Sequence, residues 1–206
     1  MAISNEKKKE TLLKNFDILK DNYDKNGSSL ASVVVKMFKI DADTAVDMWT
    51  YLLTKHAAAV KGENSWFITG SIMYDGRKAI GIEKLCEIVL GNPVLKKAIF
   101  SYTCDDIHLV VDDIIRRKIE TDELQIVDEL LDLVYKNKYK NSSWYKVMDQ
   151  ILEDADCMEI SEEAYECLEA WCDKVKNKEE RAKLSVKMLD LLHDDDDDDD
   201  EDDYER

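Results

Sequence analysis

The scarcity of helix-breaking residues constrains this chain more than any other feature. Its 206 residues contain one proline and six glycines, too few for the tight turns that a sheet of many hairpins requires. Apolar residues make up 45% of the sequence, which is enough to fill a sizeable core. The sequence therefore predicts an all-α protein of one domain or at most two.

Apolar positions recur at helical spacing along most of the chain and predict about eleven short helices in antiparallel pairs. The first helix is expected over 5–23 and is stopped by Gly27. Its apolar stripe comprises Leu12, Phe16, Leu19 and Tyr23. The valine-rich segment 29–38 could be a strand when taken alone, and we assign it to a helix because Ser28 and Ser29 offer caps and no partner strand is evident.

Further boundaries are read from capping residues and from glycine and proline. A break is expected near Asp75 and Gly76, and Pro93 is predicted at the favoured first position of a helix. The last helix is capped by Asn177. The final helix carries Ala182, Ser185, Leu189 and Leu192 along one face. The remaining helices are predicted to start near Asp41 or Asp43, Asn64, Arg77, Thr103 or Asp105, Thr121, Trp144 and Ser161.

The helices after the first form pairs that begin near 29, 64, 92, 121 and 161, at intervals of 35, 28, 29 and 40 residues. Solenoids built from helix hairpins have periods of this size. Ala42 precedes Trp49 by seven residues, as Ala164 precedes Trp171. At the level of architecture, 29–193 therefore resembles a HEAT or armadillo stack. No specific motif supports the resemblance, so it implies no functional residue, and an irregular α-bundle is the competing fold.

Charge is distributed unevenly along the chain. Residues 1–120 carry a net charge of +1, residues 121–193 carry −8 and residues 194–206 carry −10. The acidic part disfavours direct binding to nucleic acid or anionic lipid and favours a basic protein partner. We expect one helical domain over 1–193, with the helix at 5–23 as its cap, followed by a disordered acidic tail over 194–206.

Five cysteines without a CxxC spacing indicate reduced thiols rather than a disulfide framework. The first residues become polar at once, without the apolar core of a signal peptide. No stretch approaches the 18 apolar residues of a membrane span. The sequence is therefore expected to belong to a cytoplasmic protein that does not associate with membranes; its oligomeric state is left open.

One cluster could bind a metal ion. The candidate ligands share one helix face, because they fall at i, i+4 and i+8: Cys104, His108 and Asp112. Asp105 and Asp113 lie beside them. This face could therefore offer a thiolate, an imidazole and carboxylates to the ion. A structural zinc site usually needs a second clustered pair, which the other cysteines do not supply. An exposed acidic helix face is the alternative interpretation.

The two other histidines have simple structural interpretations. His56 follows the stripe of Trp49 and Leu52 and is expected to be hydrogen-bonded at a helix interface, with a role as general base as the alternative. His193 lies in the last helical turn beside the aspartates, which should raise its pKa. No nucleophile elbow, phosphate loop, dinucleotide fingerprint or HExxH motif is present in the sequence.

These observations predict a non-enzymatic protein-binding module without a cofactor. A basic partner would be steered by the acidic third of the chain and held by a few aromatic anchors. The alternatives are a nucleic-acid-mimicking inhibitor or immunity protein acting on a basic nucleic-acid-binding protein, and a metal-dependent enzyme centred on His108.

The tail could also serve only solubility, or could contact the basic cluster Arg116–Lys118. The candidate partner-binding residues are Asp194, Asp195, Asp196, Asp197, Asp198, Asp199, Asp200, Glu201, Asp202, Asp203, Trp66 and Trp144.

Overall fold

The computed structural model describes residues 3–56, 67–101, 108–136, 144–156 and 158–191. Within these ranges the regular structure consists of eleven α-helices and one short π-helix, with no strand. The prediction of an all-α fold with helices packed in pairs is therefore confirmed. The helices are α1 (Asn5–Leu19), α2 (Tyr23–Phe38), α3 (Ala42–Lys55), the π-helix (Phe67–Ser71), α4 (Ile72–Ile80), α5 (Ile82–Gly91), α6 (Pro93–Ser101), α7 (His108–Glu120), α8 (Leu124–Lys136), α9 (Trp144–Ala155), α10 (Glu162–Cys172) and α11 (Lys178–Asp190).

The chain divides into two compact units, and the division falls inside α7 and α8. The first unit comprises Met1–Ile114 and Glu129–Ser142, and the second comprises Ile115–Asp128 and Ser143–Arg206. The first unit is built around α2, which packs against α1, α3 and α4. Its core includes Phe38 and Trp49, whose rings meet edge to face with centroids 6.1 Å apart.

Helices α1 and α3 are joined by polar contacts at both ends of α3. Asp41 is the N-cap of α3 and accepts a hydrogen bond from the backbone N–H of Thr44, while Lys9 of α1 forms an ion pair with the same carboxylate. At the other end, His56 Nε2 lies 2.7 Å from the carbonyl oxygen of Lys20, and its ring stacks on Tyr23. The expected role of His56 at a helix interface is confirmed.

The first two helix boundaries differ from the sequence prediction. Helix α1 ends at Leu19, and Tyr23 already begins α2, which continues through Gly27. The valine-rich segment is helical, as assigned, but Ser28 and Ser29 lie inside the helix. Glycine in a helix interior costs about 1 kcal/mol relative to alanine. Here Gly27 is buried within α2, so packing determines the boundary rather than the local preference of the residue.

The predicted break near Asp75 and Gly76 is wrong, because α4 runs through both residues to Ile80. Gly76 is buried, and a Cβ atom there would meet Leu85 and Phe38 at 3.7–3.9 Å, so the glycine lies at a close helix contact. The actual break is at Gly81, whose φ of 86° is in the left-handed region that favours glycine.

Several predicted caps are confirmed. Ser161 accepts a hydrogen bond from Ala164 N, and Asn177 caps α11. Pro93 begins α6, as predicted, and Asn92 before it accepts hydrogen bonds from the backbone amides of Val94 and Leu95. Thr121 is not a cap: it lies in the turn after α7, and α8 begins three residues later at Leu124. Helix α7 ends in a left-handed turn, in which Asp122 has a φ of 55° and the backbone N–H of Glu123 donates to the carbonyl oxygen of Lys118.

The second unit contains α9, α10 and α11, which pack against one another. Helix α9 buries Met148 and Ile151, and α10 buries Leu168. Helix α11 contributes only Leu184 and Met188 to the buried set. The outward sides of α10 and α11 are therefore not required for this core.

Candidate partner-binding surface

Two tryptophans connect α9 to α10. The indole N–H of Trp144, at the start of α9, donates a hydrogen bond of 2.9 Å to the carbonyl oxygen of Trp171, near the end of α10. The ring centroids lie 5.6 Å apart. The last carbonyl groups of a helix have no partner within the helix. The Trp171 oxygen accepts from the backbone N–H of Lys174 at 3.2 Å and from the indole of Trp144, and both bonds fix the end of α10.

Trp171 is itself held by α8. It is 2% exposed, and its indole N–H donates to Asp128 Oδ1 at 3.0 Å. The ammonium group of Lys174 lies over the Trp171 ring in a cation–π contact. The chain of contacts from Trp144 through Trp171 to Asp128 orients α10 and therefore determines which of its residues face outward.

The outward side of α10 is acidic. Between Lys146 and Lys174, residues 147–173 contain ten acidic residues and no lysine, arginine or histidine. Glu162, Glu166, Glu169 and Asp173 follow one another at spacings of four, three and four residues, and all four are exposed. We call these four residues the acidic ridge. It extends over about 16 Å at 1.5 Å per residue.

The charges of the acidic ridge are not neutralised within the described part of the chain. None of the ion pairs among the described residues includes a ridge carboxylate. Two bases of this unit pair with carboxylates outside the ridge: Lys187 with Asp149 at 2.6 Å, and Lys183 with Glu179 at 3.3 Å. Arg181 donates to the backbone carbonyl of Asp173 at 3.5 Å and forms no ion pair with its carboxylate. The ridge therefore keeps its negative charge available to a partner.

Helix α11 presents an apolar stripe to solvent. The face predicted from Ala182, Ser185 and Leu189 is exposed and the opposite face is buried, so it is not a core face; Leu192 lies outside the described residues. Val186 and Leu189 are 61% and 63% exposed. We call Ala182, Val186 and Leu189 the outer stripe of α11.

No family model, curated protein or solved structure matches this chain. The comparisons therefore assign no family and leave the resemblance to HEAT or armadillo stacks at the level of packed helices.

The predicted partner-binding residues fall mostly outside the described ranges. This applies to Trp66 and to the whole acidic run from Asp194 to Asp203. Trp144 is half-buried, with its indole N–H used inside the second unit. The structure adds the acidic ridge, which the sequence analysis missed. The absence of bases over 147–173, combined with helical spacing, was the signal that could have found it.

The residues of the metal hypothesis lie only partly within the described ranges. Cys104 and Asp105 lie outside the described residues, and nothing is described of the side chain of His108. Asp112 is 2% exposed on α7, and Asp113 pairs with Arg77 at 2.6 Å. Among the described residues there is no group of three or more side chains that could hold a metal ion.

The basic cluster Arg116–Lys118 is engaged locally. Arg116 pairs with Glu120 at 2.8 Å, and Lys118 with Glu123 at 2.5 Å. The hydrogen bond from Lys118 lowers the pKa of the Glu123 carboxyl, and one from Thr121 adds to this effect. Contact between this cluster and the acidic run stays a prediction, and it would have to compete with these pairs.

No helix in the described part of the chain is long and apolar enough to cross a membrane.

Proposed function

We propose that this protein is a non-enzymatic binding module for a basic protein partner and that it acts in the cytoplasm. The observation that carries the proposal is the acidic ridge of α10, which is exposed and has no ion-pair partner among the described residues. The ten acidic residues over 194–203 add to the same field. A helical scaffold of the HEAT or armadillo type would present such a surface without needing catalytic residues.

The arrangement of the acidic ridge supports a binding role. Like charges three or four residues apart on a helix destabilise it by about 0.2–0.5 kcal/mol per pair. Carboxylates in the last helical turn also oppose the helix dipole. A basic partner would relieve both effects, and its approach would be steered by the field of the acidic residues.

A nucleic-acid mimic is the more specific form of this proposal. The base-free stretch 147–173 ends in α10, along which the four ridge carboxylates are arrayed, so the ridge could occupy a surface that normally binds phosphates. The partner would then be a nucleic-acid-binding protein, and the chain would act as its inhibitor or as an immunity protein. DNA or RNA would compete for the partner, whereas a partner without a phosphate-binding surface would be indifferent to them.

The proposal can be tested by affinity capture from host lysate with a full-length bait. The ridge variant carries the changes Glu166→Gln, Glu169→Gln and Asp173→Asn. The control variant carries Glu10→Gln, Asp47→Asn and Glu87→Gln, three exposed positions of the first unit with the same total change in charge. A third variant replaces the carboxylates of 194–203 by amides.

We expect a basic protein on the wild-type bait that is lost at high salt. The ridge variant should capture less of it, and the control variant should capture as much as the wild type. The ridge variant should also unfold no earlier than the wild type in a thermal scan, because it removes repulsion. Capture that is independent of salt and of all three variants would refute an electrostatic binding surface. Addition of DNA then separates the mimic from other binding modules.

A further inference from the structure

Helix α2 exposes one narrow side. It packs against α1, α3 and α4, and its buried residues include Leu30. On the opposite side, four exposed residues follow one another at spacings of four, three and four positions: Lys25, Ser29, Ser32 and Lys36. We call these four residues the lysine–serine strip. It extends over about 16 Å at 1.5 Å per residue.

The lysine–serine strip carries positive charge that the chain does not neutralise locally. Neither of its lysines forms an ion pair with another described residue. Lys39, the exposed C-cap residue of α2, forms none either. Asp24 is the one acidic residue of α2, and helical spacing places it roughly 110° around the helix from the strip.

The side chains of the strip are suited to bind carboxylates. A lysine ammonium group has three hydrogen-bond donors, and a serine hydroxyl has one. The strip therefore offers donors along its whole length. Serine side chains are short, and the distance between two packed helices depends on the side chains at their contact. A second helix could therefore approach the middle of the strip closely.

The acidic ridge of α10 has the same spacing and the opposite charge. Its four carboxylates also follow one another at four, three and four positions. When the two helices are laid antiparallel, Lys25 stands opposite Asp173 and Lys36 opposite Glu162. The two inner carboxylates then stand opposite the serine hydroxyls. Antiparallel order also places the positive end of each helix dipole beside the negative end of the other.

A second copy of the chain is the occupant that this match favours. The strip belongs to the first unit and the ridge to the second, so every copy offers both halves of a head-to-tail contact. Each copy carries a net charge of −17. Repulsion between whole copies is screened beyond about 8–10 Å at physiological salt, whereas groups in direct contact are screened less. The contact should therefore be weak and should be strongest at intermediate salt.

We propose that the lysine–serine strip of one copy binds the acidic ridge of a second copy and so covers the ridge while no basic partner is bound. This inference rests on the proposed function, because the covered surface is the one proposed to bind the partner. It adds a regulation of that surface, since self-association and the partner compete for the same four carboxylates.

Zero-length crosslinking of the full chain tests whether the contact forms between copies. Isotopically labelled and unlabelled chains are mixed in equal amounts at about 0.15 M salt. A carbodiimide then activates a carboxylate, the lysine amine displaces it to form an amide, and the reagent leaves as its urea. We expect amide links from Lys25 to Asp173 and from Lys36 to Glu162 that join a labelled to an unlabelled peptide. Links within one isotopic form alone would place the contact inside a single chain and overturn the inference.

Charge reversal tests the pairing itself. The strip variant carries Lys25→Glu with Lys36→Glu, and the ridge-end variant carries Glu162→Lys with Asp173→Lys. Sedimentation equilibrium measures the dissociation constant of self-association. Each variant alone should associate at least about tenfold more weakly than the wild type, because two attractive pairs become repulsive. An equal mixture of both variants should restore association, since the reversed strip then meets the reversed ridge.

A matched control reverses two exposed lysines elsewhere in the first unit, Lys55→Glu and Lys84→Glu. It should associate like the wild type, and association should be lost at about 1 M salt. Equal loss in the control and strip variants, or a mixture that stays monomeric, would overturn the inference. Binding of a DNA duplex that the strip variant abolishes would also overturn it, because phosphates would then occupy the strip.

This inference and the proposed function fail in different ways. If the wild-type chain stays monomeric at concentrations up to about 1 mM while the ridge variant still loses the basic partner, the function stands and the inference falls. If the mixture of reversed variants restores self-association and no basic protein is captured at any salt, the inference stands and the proposed function falls.

Discussion

Replacement of Asp128 by alanine tests how α10 is held. Trp171 is 2% exposed, and its indole N–H donates to Asp128 Oδ1 at 3.0 Å. Alanine at 128 leaves this buried donor without the carboxylate, and a buried unsatisfied donor costs about 1–3 kcal/mol. Asparagine at 128 keeps an oxygen acceptor at nearly the same place. We therefore expect Asp128→Ala to lower the free energy of unfolding by about 2 kcal/mol, and Asp128→Asn to lower it much less.

The measurement is urea unfolding followed by circular dichroism and by tryptophan fluorescence. The midpoint should fall for Asp128→Ala while the slope of the transition stays constant, which identifies a change in stability rather than in compactness. Trp171→Phe removes the donor, so adding Asp128→Ala to it should cost little more, as a double-mutant cycle would show. Equal losses for Asp128→Ala and Asp128→Asn, or full additivity with Trp171→Phe, would refute the argument.

Three further changes can be measured on the same protein. Ser161→Ala removes the N-cap hydrogen bond from Ala164 N and the one that the Ser161 hydroxyl donates to Asp122 and should lower stability by about 1 kcal/mol in urea unfolding, whereas Ser161→Thr, which keeps the hydroxyl, should lower it much less. The ion pair with Lys9 and the bonds from Thr44 lower the pKa of Asp41 to about 2; its stabilising effect is complete above the ordinary pKa of 3.8 and declines as the pH falls towards 2, so Asp41→Asn should flatten the loss of melting temperature over that range. Burial raises the pKa of the Cys172 thiol to about 12, so peptide mapping after brief alkylation should find it unmodified in the native chain and modified after unfolding.

The sequence predicts helices well because their signals are local. Periodic apolar residues and side-chain caps act within one or two turns, and Ser161 and Asn177 cap the helices that they were expected to cap. Two of the failures involve glycine. Gly27 and Gly76 lie inside helices, because burial against distant residues outweighs a preference of about 1 kcal/mol. No local pattern distinguishes these glycines from Gly81, which does end a helix.

The candidate surface was only partly predictable for a related reason. The charge balance locates the acidic third of the chain, but it does not say which carboxylates are paired. Asp149 and Glu153 are held by Lys187, whereas the acidic ridge of α10 has no such partner among the described residues. Likewise, periodicity places Val186 and Leu189 on the helix without saying which side of α11 meets the core. Both distinctions depend on packing between helices that are distant in sequence.

The acidic ridge and the outer stripe share one property that links fold to function. Each lies opposite the buried face of its helix, formed by Leu168 in α10 and by Leu184 and Met188 in α11. Each also costs the isolated chain free energy, through like-charge repulsion along the ridge and through apolar surface left in water at the stripe. Substitutions that remove these costs should leave the fold intact or more stable. Loss of binding in such variants would therefore report on recognition itself.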